Sequence, residues 1–189
     1  MTERFNDIIV MAIEDESPTL YKSYANVFVM GVGKVKSAIT CMQLIQSHRP
    51  RRIINIGTAG GITLQSGIHR VNCVIQHDVN LIQLGVPAGS VLSDDHAMIA
   101  LPGEGVFCGS GDVFVTEPSK MRLKVDLVEM EAYSVARVAA HTGIECEIWK
   151  YISDAADPDA ADQWKANVSD GGDDYLTVLK SINAELVAV

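Results

Sequence analysis

The sequence predicts an α/β protein of three layers, αβα, around a mixed, mainly parallel central sheet. Three observations predict it. Short apolar runs rich in β-branched residues alternate with segments whose apolar residues recur at i, i+3, i+4 and i+7. The runs are apolar throughout, as in strands covered on both faces. Glycine-rich or acidic turns follow them, at the strand ends where open α/β sheets gather ligand-binding groups. With 189 residues and 48% hydrophobic content, a single domain over residues 1–189 is expected.

Bulk properties narrow the partners. A net charge of −9 argues against nucleic acid, which a protein binds through a basic surface that displaces counterions. Arg49, Arg51 and Arg52, beside Pro50, read as a solvated helix-to-strand turn. No apolar run approaches the roughly 20 residues of a membrane span, and the first ten residues lack the features of a signal peptide. A cytoplasmic location, away from membranes, is expected. Cys41, Cys73, Cys108 and Cys146 form no C-x-x-C pair and read as reduced core thiols, with no metal site.

Taken in order, residues 8–13 give the first strand, which ends in Glu14-Asp15-Glu16. Three acids there read either as a solvated loop or as a loop from which one acid turns inward as a base. Residues 26–30 give a second strand. Gly31-Val32-Gly33-Lys34 then opens a helix with Val35, Ala38, Ile39, Met42 and Ile45 on one face. The glycine pair completes neither a P-loop nor a dinucleotide fingerprint, since Lys36 stands where the latter needs a small residue. It reads as a tight turn. Residues 52–56 form a strand running into Gly57-Thr58-Ala59-Gly60-Gly61, either a plain turn or backbone that a ligand oxygen can approach.

Residues 71–75 are the next strand. His77 after it has no nucleophile or second histidine at ligand spacing, so a hydrogen-bonded structural role is expected. Residues 106–114 read as a strand interrupted by Gly109 and Gly111, and Phe114 as either core or a ligand platform.

The stretch 125–157 organises the rest. Glu129, Met130 and Glu131 precede a helical stripe of Ala132, Val135, Ala136, Ala139 and Ala140, which Gly143 ends. Residues 144–152 form a buried strand, with Ser153-Asp154 at its carboxyl end. A short helix over 158–168, a break at Gly171-Gly172, and a helix carrying Leu176, Leu179, Ile182 and Leu186 complete the chain.

VEMEA, then a helix, a strand and ISDAAD, resembles the purine nucleoside phosphorylase superfamily, and most of all its 5'-methylthioadenosine/S-adenosylhomocysteine nucleosidase branch. MAIEDE, MGVGKV, INIGTAGG and SGDVF resemble further family segments in the family's order. The resemblance implies a nucleoside phosphorylase-like fold and Glu16 as general base. It places Thr58, with Ala59 and Gly60, at the ribose and attacking water, Phe114 against the purine and the Val115 backbone at its edge. It puts Met130 beneath the sugar and Glu131, beside Glu129, on its hydroxyls. Asp154, next to Ser153, is the implied general acid. The implied reaction is hydrolysis of the N-glycosidic bond of adenine nucleosides such as 5'-methylthioadenosine or S-adenosylhomocysteine. No cofactor is implied, the partner is a small nucleoside, and relatives are homo-oligomers, so a homodimer is expected.

Physical chemistry requires such residues. Cleavage builds positive charge on the sugar and negative charge on the purine, so one carboxyl must be neutral to protonate the base while another, ionised, takes a proton from water. Two other functions remain open: a phosphate-dependent phosphorylase, or a nucleoside-binding protein without turnover. Phosphorylases of the superfamily carry a phosphate-pairing arginine where Asn55 stands, and an amide cannot replace it. The chain is also shorter than usual for the family between Glu16 and Gly31 and between Gly89 and Ser110, regions that form the 5' pocket and subunit contacts in relatives.

Overall fold

The computed structural model describes residues 3–92 and 97–189. Its strands join in one sheet. β1 (Asp7–Met11) lies between β2 (Val27–Val29) and β3 (Arg52–Gly61), parallel to both. The sheet continues through β4 (Ile68–Gln76), the edge strand β5 (Met98–Ala100), β6 (Val106–Ser110), β7 (Leu127–Glu129) and β8 (Glu145–Asp154). β3 pairs parallel with β8 and antiparallel with β7, while β8 pairs antiparallel with β4. β4 runs parallel to β6, and β6 parallel to β7. The expected mixed, mainly parallel sheet is present. The pairings β3, β8, β4, β6, β7 also return to β3, closing a barrel-like ring that periodicity does not reveal.

Helices cover both sides. α1 (Pro18–Ser23) and α5 (Gly172–Ser181) lie on one face; α2 (Lys34–His48) and α3 (Ala132–Thr142) lie on the other. α4 (Ala160–Asn167) packs against β8. β1 shows why its run is apolar throughout. Ile8 and Val10 join Cys41 and Ile45 of α2 and Val135 and Ala139 of α3, whereas Ile9 and Met11 join Leu20, Tyr175 and Leu179. Each aliphatic side chain so buried contributes about 1.5–3 kcal/mol.

Several expectations are corrected. α2 buries Ser37, Cys41 and Ile45 and leaves Val35 72% and Ile39 55% exposed. Ser37 can face inward because its hydroxyl bonds to Lys34 O, so a polar residue occupies the seam where the apolar stripe placed Val35 and Ile39. GTAGG is strand, its backbone paired with β8 and β7. β6 stops at Ser110, and Gly111 donates its N–H to Glu129 O instead. β5 and β7, three residues each, are too short to give a periodic signal. α5 ends at Ser181, yet Ile182 and Leu186 still pack beyond it on the same cluster.

Arg52 is not part of a solvated turn: it pairs with Asp7 at 2.7 Å and Glu147 at 2.9 Å, crossing three strands. His77 packs against Gly109 and Gly111 with its Nε2 buried, and that atom has no hydrogen bond among the described residues. The four cysteines are free. No helix among the described residues is long and apolar enough to cross a membrane. Part of the shortened segment between Gly89 and Ser110, residues 93–96, lies outside the described residues.

Candidate active site

The carboxyl ends of β3 and β8, the start of α3 and the turn after β1 surround a cavity of about 360 Å³. Glu16 enters it from that turn, only 4% exposed, whereas Glu14 of the same acidic run stays near the surface against Lys22. The inward acid is therefore Glu16. Its Oε2 accepts the Ala12 N–H at 2.8 Å, and its Oε1 accepts the Thr58 N–H at 2.7 Å and the Thr58 hydroxyl at 3.1 Å. Every partner is a donor, the hydrogen-bond set of a carboxylate, which only accepts. Gly57 makes the approach possible, since a Cβ there would stand 2.7 Å from Glu16 Oε1. The glycine-rich strand thus exposes its backbone to an oxygen of the protein itself.

Asp154 closes β8. The β3–β8 register runs from Ala59↔Ile152 to Gly60↔Asp154, so Ser153 is an extra residue in a bulge, a feature that re-aims the next side chain. A Cβ on Gly60 would stand 2.7 Å from Asp154 Oδ1. The Ala156 N–H reaches Oδ1 at 3.0 Å, and Ser153 Oγ lies 2.9 Å from Oδ2. Burial raises the Asp154 pKa and Asp157 adds to the rise; the Ala156 and Ser153 hydrogen bonds oppose it in part. The net shift is upward. Two glycines three residues apart, about 10 Å of extended chain, thus make room for the two carboxylates that line one cavity.

The acids of VEMEA divide. Glu129 touches the cavity, yet its oxygens are taken by the protein: Lys150 Nζ at 3.0 Å, the Glu131 and Ala132 N–H groups and the Ser110 hydroxyl. Burial alone would raise its pKa, but Lys150 and these donors overcome that and hold it below the ordinary value. Burial likewise works against the Lys150 charge, and Glu129, Glu131 and Glu16 outweigh it. Glu131 accepts the Gly33 N–H at 2.8 Å. Its burial and the Glu129 charge push it up to about 8, in the opposite direction from Glu129.

The remaining residues singled out in the sequence also line the cavity: Thr58, Ala59 and Gly60 from β3, Met130, Ser153, Val115, and Phe114, which is 45% exposed. Phe114 is thus at the cavity rather than in the core. A phosphorylase superfamily sequence model matches residues 19–100 and 102–188. A 5'-methylthioadenosine/S-adenosylhomocysteine nucleosidase of Buchnera aphidicola is 34% identical over 184 residues, covering 84% of this chain and 69% of its own. The chain belongs to that nucleosidase family. A nucleosidase of Actinobacillus succinogenes is 29% identical over 188 residues, 85% of this chain and 80% of its own. In fold, the family member resembles a Helicobacter pylori nucleosidase mutant solved with 5'-methylthioadenosine in the active site. That comparison gives a TM-score of 0.82 at 22% identity, with 94% and 97% of the two chains covered. A futalosine hydrolase mutant of Helicobacter pylori gives 0.77 at 22% identity, with 90% and 93% covered.

Two residues of this nucleosidase escaped the sequence reading. Lys150 is 1% exposed, and its signal was a lone cation in the buried phase Cys146, Ile148, Lys150, Ile152 of β8. Trp164 of α4 lines the cavity and donates its indole N–H to Thr58 Oγ1 at 3.1 Å. An aromatic residue in a short helix carries no signal of its own.

Glu131 gives a testable pH dependence. Its raised pKa contributes stability that is fully present below pH 4.5 and is lost as pH rises through about 8. Glu131→Gln keeps the neutral form at every pH. In thermal melts at pH 5, 7 and 9 the variant gains on the wild type as pH rises; a constant difference in Tm would remove the assignment.

Proposed function

We propose that Asp154 and Glu16 carry out N-glycosidic hydrolysis of adenine nucleosides such as 5'-methylthioadenosine or S-adenosylhomocysteine, giving adenine and the free 5-substituted ribose. Asp154 donates its proton to N7 as the bond from the anomeric carbon to N9 breaks. Water attacks that carbon and gives a proton to Glu16. Phe114 stacks on the base and the Val115 backbone reads its edge. Met130 lies under the sugar with Thr58, Ala59 and Gly60 at its reacting face, and Glu131 binds its hydroxyls, its anionic form gaining as positive charge builds. Glu129 supports this set through Lys150 and α3, and Ser153 steadies Asp154.

One observation carries the reading: Asp154, whose pKa burial raises, and Glu16, a carboxylate surrounded by donors, line the same cavity. Asn55 supports hydrolysis over phosphorolysis. It is fully buried, bonded to the carbonyls of Val10 and Ile56, and offers no cation to phosphate. The reaction uses no cofactor or metal. Incubation with a panel of adenine nucleosides, with and without phosphate, is expected to release adenine and free sugar at a phosphate-independent rate. Appearance of a sugar 1-phosphate would overturn the reading.

The same reading makes residues 1–189 one cytoplasmic domain that assembles as a homodimer. Exposed Val32, which lines the cavity with Phe114, and exposed Val35 and Ile39 of α2 supply apolar surface for it. Ile39→Glu is expected to halve the mass measured by light scattering at micromolar concentration. A monomeric wild type would exclude the dimer.

A further inference from the structure

We infer that Trp164 is a positioning residue for the general base, acting through the Thr58 hydroxyl. The inference rests on the role proposed for Glu16. An indole N–H can only donate, so Thr58 Oγ1, at 3.1 Å, is the acceptor in their contact. With that side of the oxygen occupied, the single hydroxyl proton turns to the acceptor also at 3.1 Å, Glu16 Oε1. Trp164 thereby fixes which way the hydroxyl points.

Direction matters because Thr58 and Glu16 line the same cavity. A hydroxyl free to rotate would compete with Glu16 for the attacking water or present its proton to it. Held by the indole, it leaves Glu16 two donors on Oε1 and the Ala12 N–H on Oε2, a carboxylate fixed in place. The helix that carries the indole is itself pinned to the other catalytic segment. Gln163 accepts the Ala155 N–H at 2.8 Å, and Asn167 donates to Ser153 O at 2.8 Å. α4 thus ties the turn that follows Asp154 to the hydrogen bonds of Glu16, and the position of the acid and that of the base are set by one element.

The test combines turnover with a spectroscopic readout that needs none. Trp164→Phe keeps an aromatic wall, though a smaller one, and removes the donor; Thr58→Val removes the hydroxyl; Thr58→Ser restores it. Trp164→Phe is expected to lower kcat about tenfold with KM within about threefold, the scale of one lost hydrogen bond. Adding it to Thr58→Val should lower kcat no further, because the indole then has no hydroxyl to act on. A raised KM at unchanged kcat, or effects that multiply in the double variant, would reduce Trp164 to a wall of the cavity. The chain has two tryptophans, so its indole N–H signals are readily assigned in a nitrogen–proton correlation spectrum. Thr58→Val should move the Trp164 signal upfield and Thr58→Ser leave it near its wild-type place; a signal indifferent to Thr58→Val would overturn the inference whether or not the protein turns over. A wild type that releases no adenine, with the indole signal responding as expected, would instead refute the proposed function.

Discussion

Asp154→Asn is expected to lower kcat by about 10²- to 10⁴-fold, the usual contribution of a positioned general acid, while leaving the melting temperature nearly unchanged. The site accepts the amide without conflict. Its oxygen can take the Ala156 N–H in place of Oδ1, and its NH₂ can donate to Ser153 Oγ in place of Oδ2. What disappears is the transferable proton. Because burial lifts the Asp154 pKa, wild-type kcat/KM falls as pH rises past that raised value, and the residual activity of the Asn variant loses this limb. Steady-state rates across pH, with thermal melts as control, check both statements. Retention of wild-type kcat in the folded variant would remove Asp154 from the chemistry.

Glu16→Gln is expected to be similarly severe, and here the fold also suffers. All the partners of this carboxylate are donors, with backbone N–H groups at both oxygens. A glutamine must therefore aim its NH₂ at a backbone N–H on one side, an unmade hydrogen bond worth about 1–3 kcal/mol in a buried setting. Activity should fall by at least about 10²-fold and Tm by several degrees. Glu16→Asp separates the two effects. It restores an acceptor, recovers part of the stability, and still lacks the reach to the attacking water. If either variant hydrolysed adenine nucleosides at the wild-type rate, Glu16 would not be the base.

The contrast between these substitutions follows from how each acid is held, and it shows where sequence reasoning ends. The alternation of elements follows from local patterns: the two-sided apolar run of β1, the Ala and Val stripe of α3, Gly143 as its C-cap in left-handed conformation. The candidate site residues, too, could be picked out one by one, and all of them line one cavity. Their division of labour could not. Glu129 and Glu131 stand two residues apart in one motif with the same side chain, yet Lys150 of β8, a strand that does not pair with β7, holds the pKa of one below its ordinary value, while burial and the Glu129 charge push the other up to about 8.

Composition, periodicity and motif order are properties of neighbours along the chain, and they were enough to give the α/β class, the covered strands, the family and the two candidate carboxylates. The seam of α2, the closing of the strands into a ring, the bulge at Ser153 and the contacts of Lys150 and Trp164 depend on groups brought together from distant parts of the chain. Hydrogen bonding and charge act through space. A residue whose role is set by a partner 106 positions away, as Trp164 is by Thr58, shows that role only once the backbone has brought the two together.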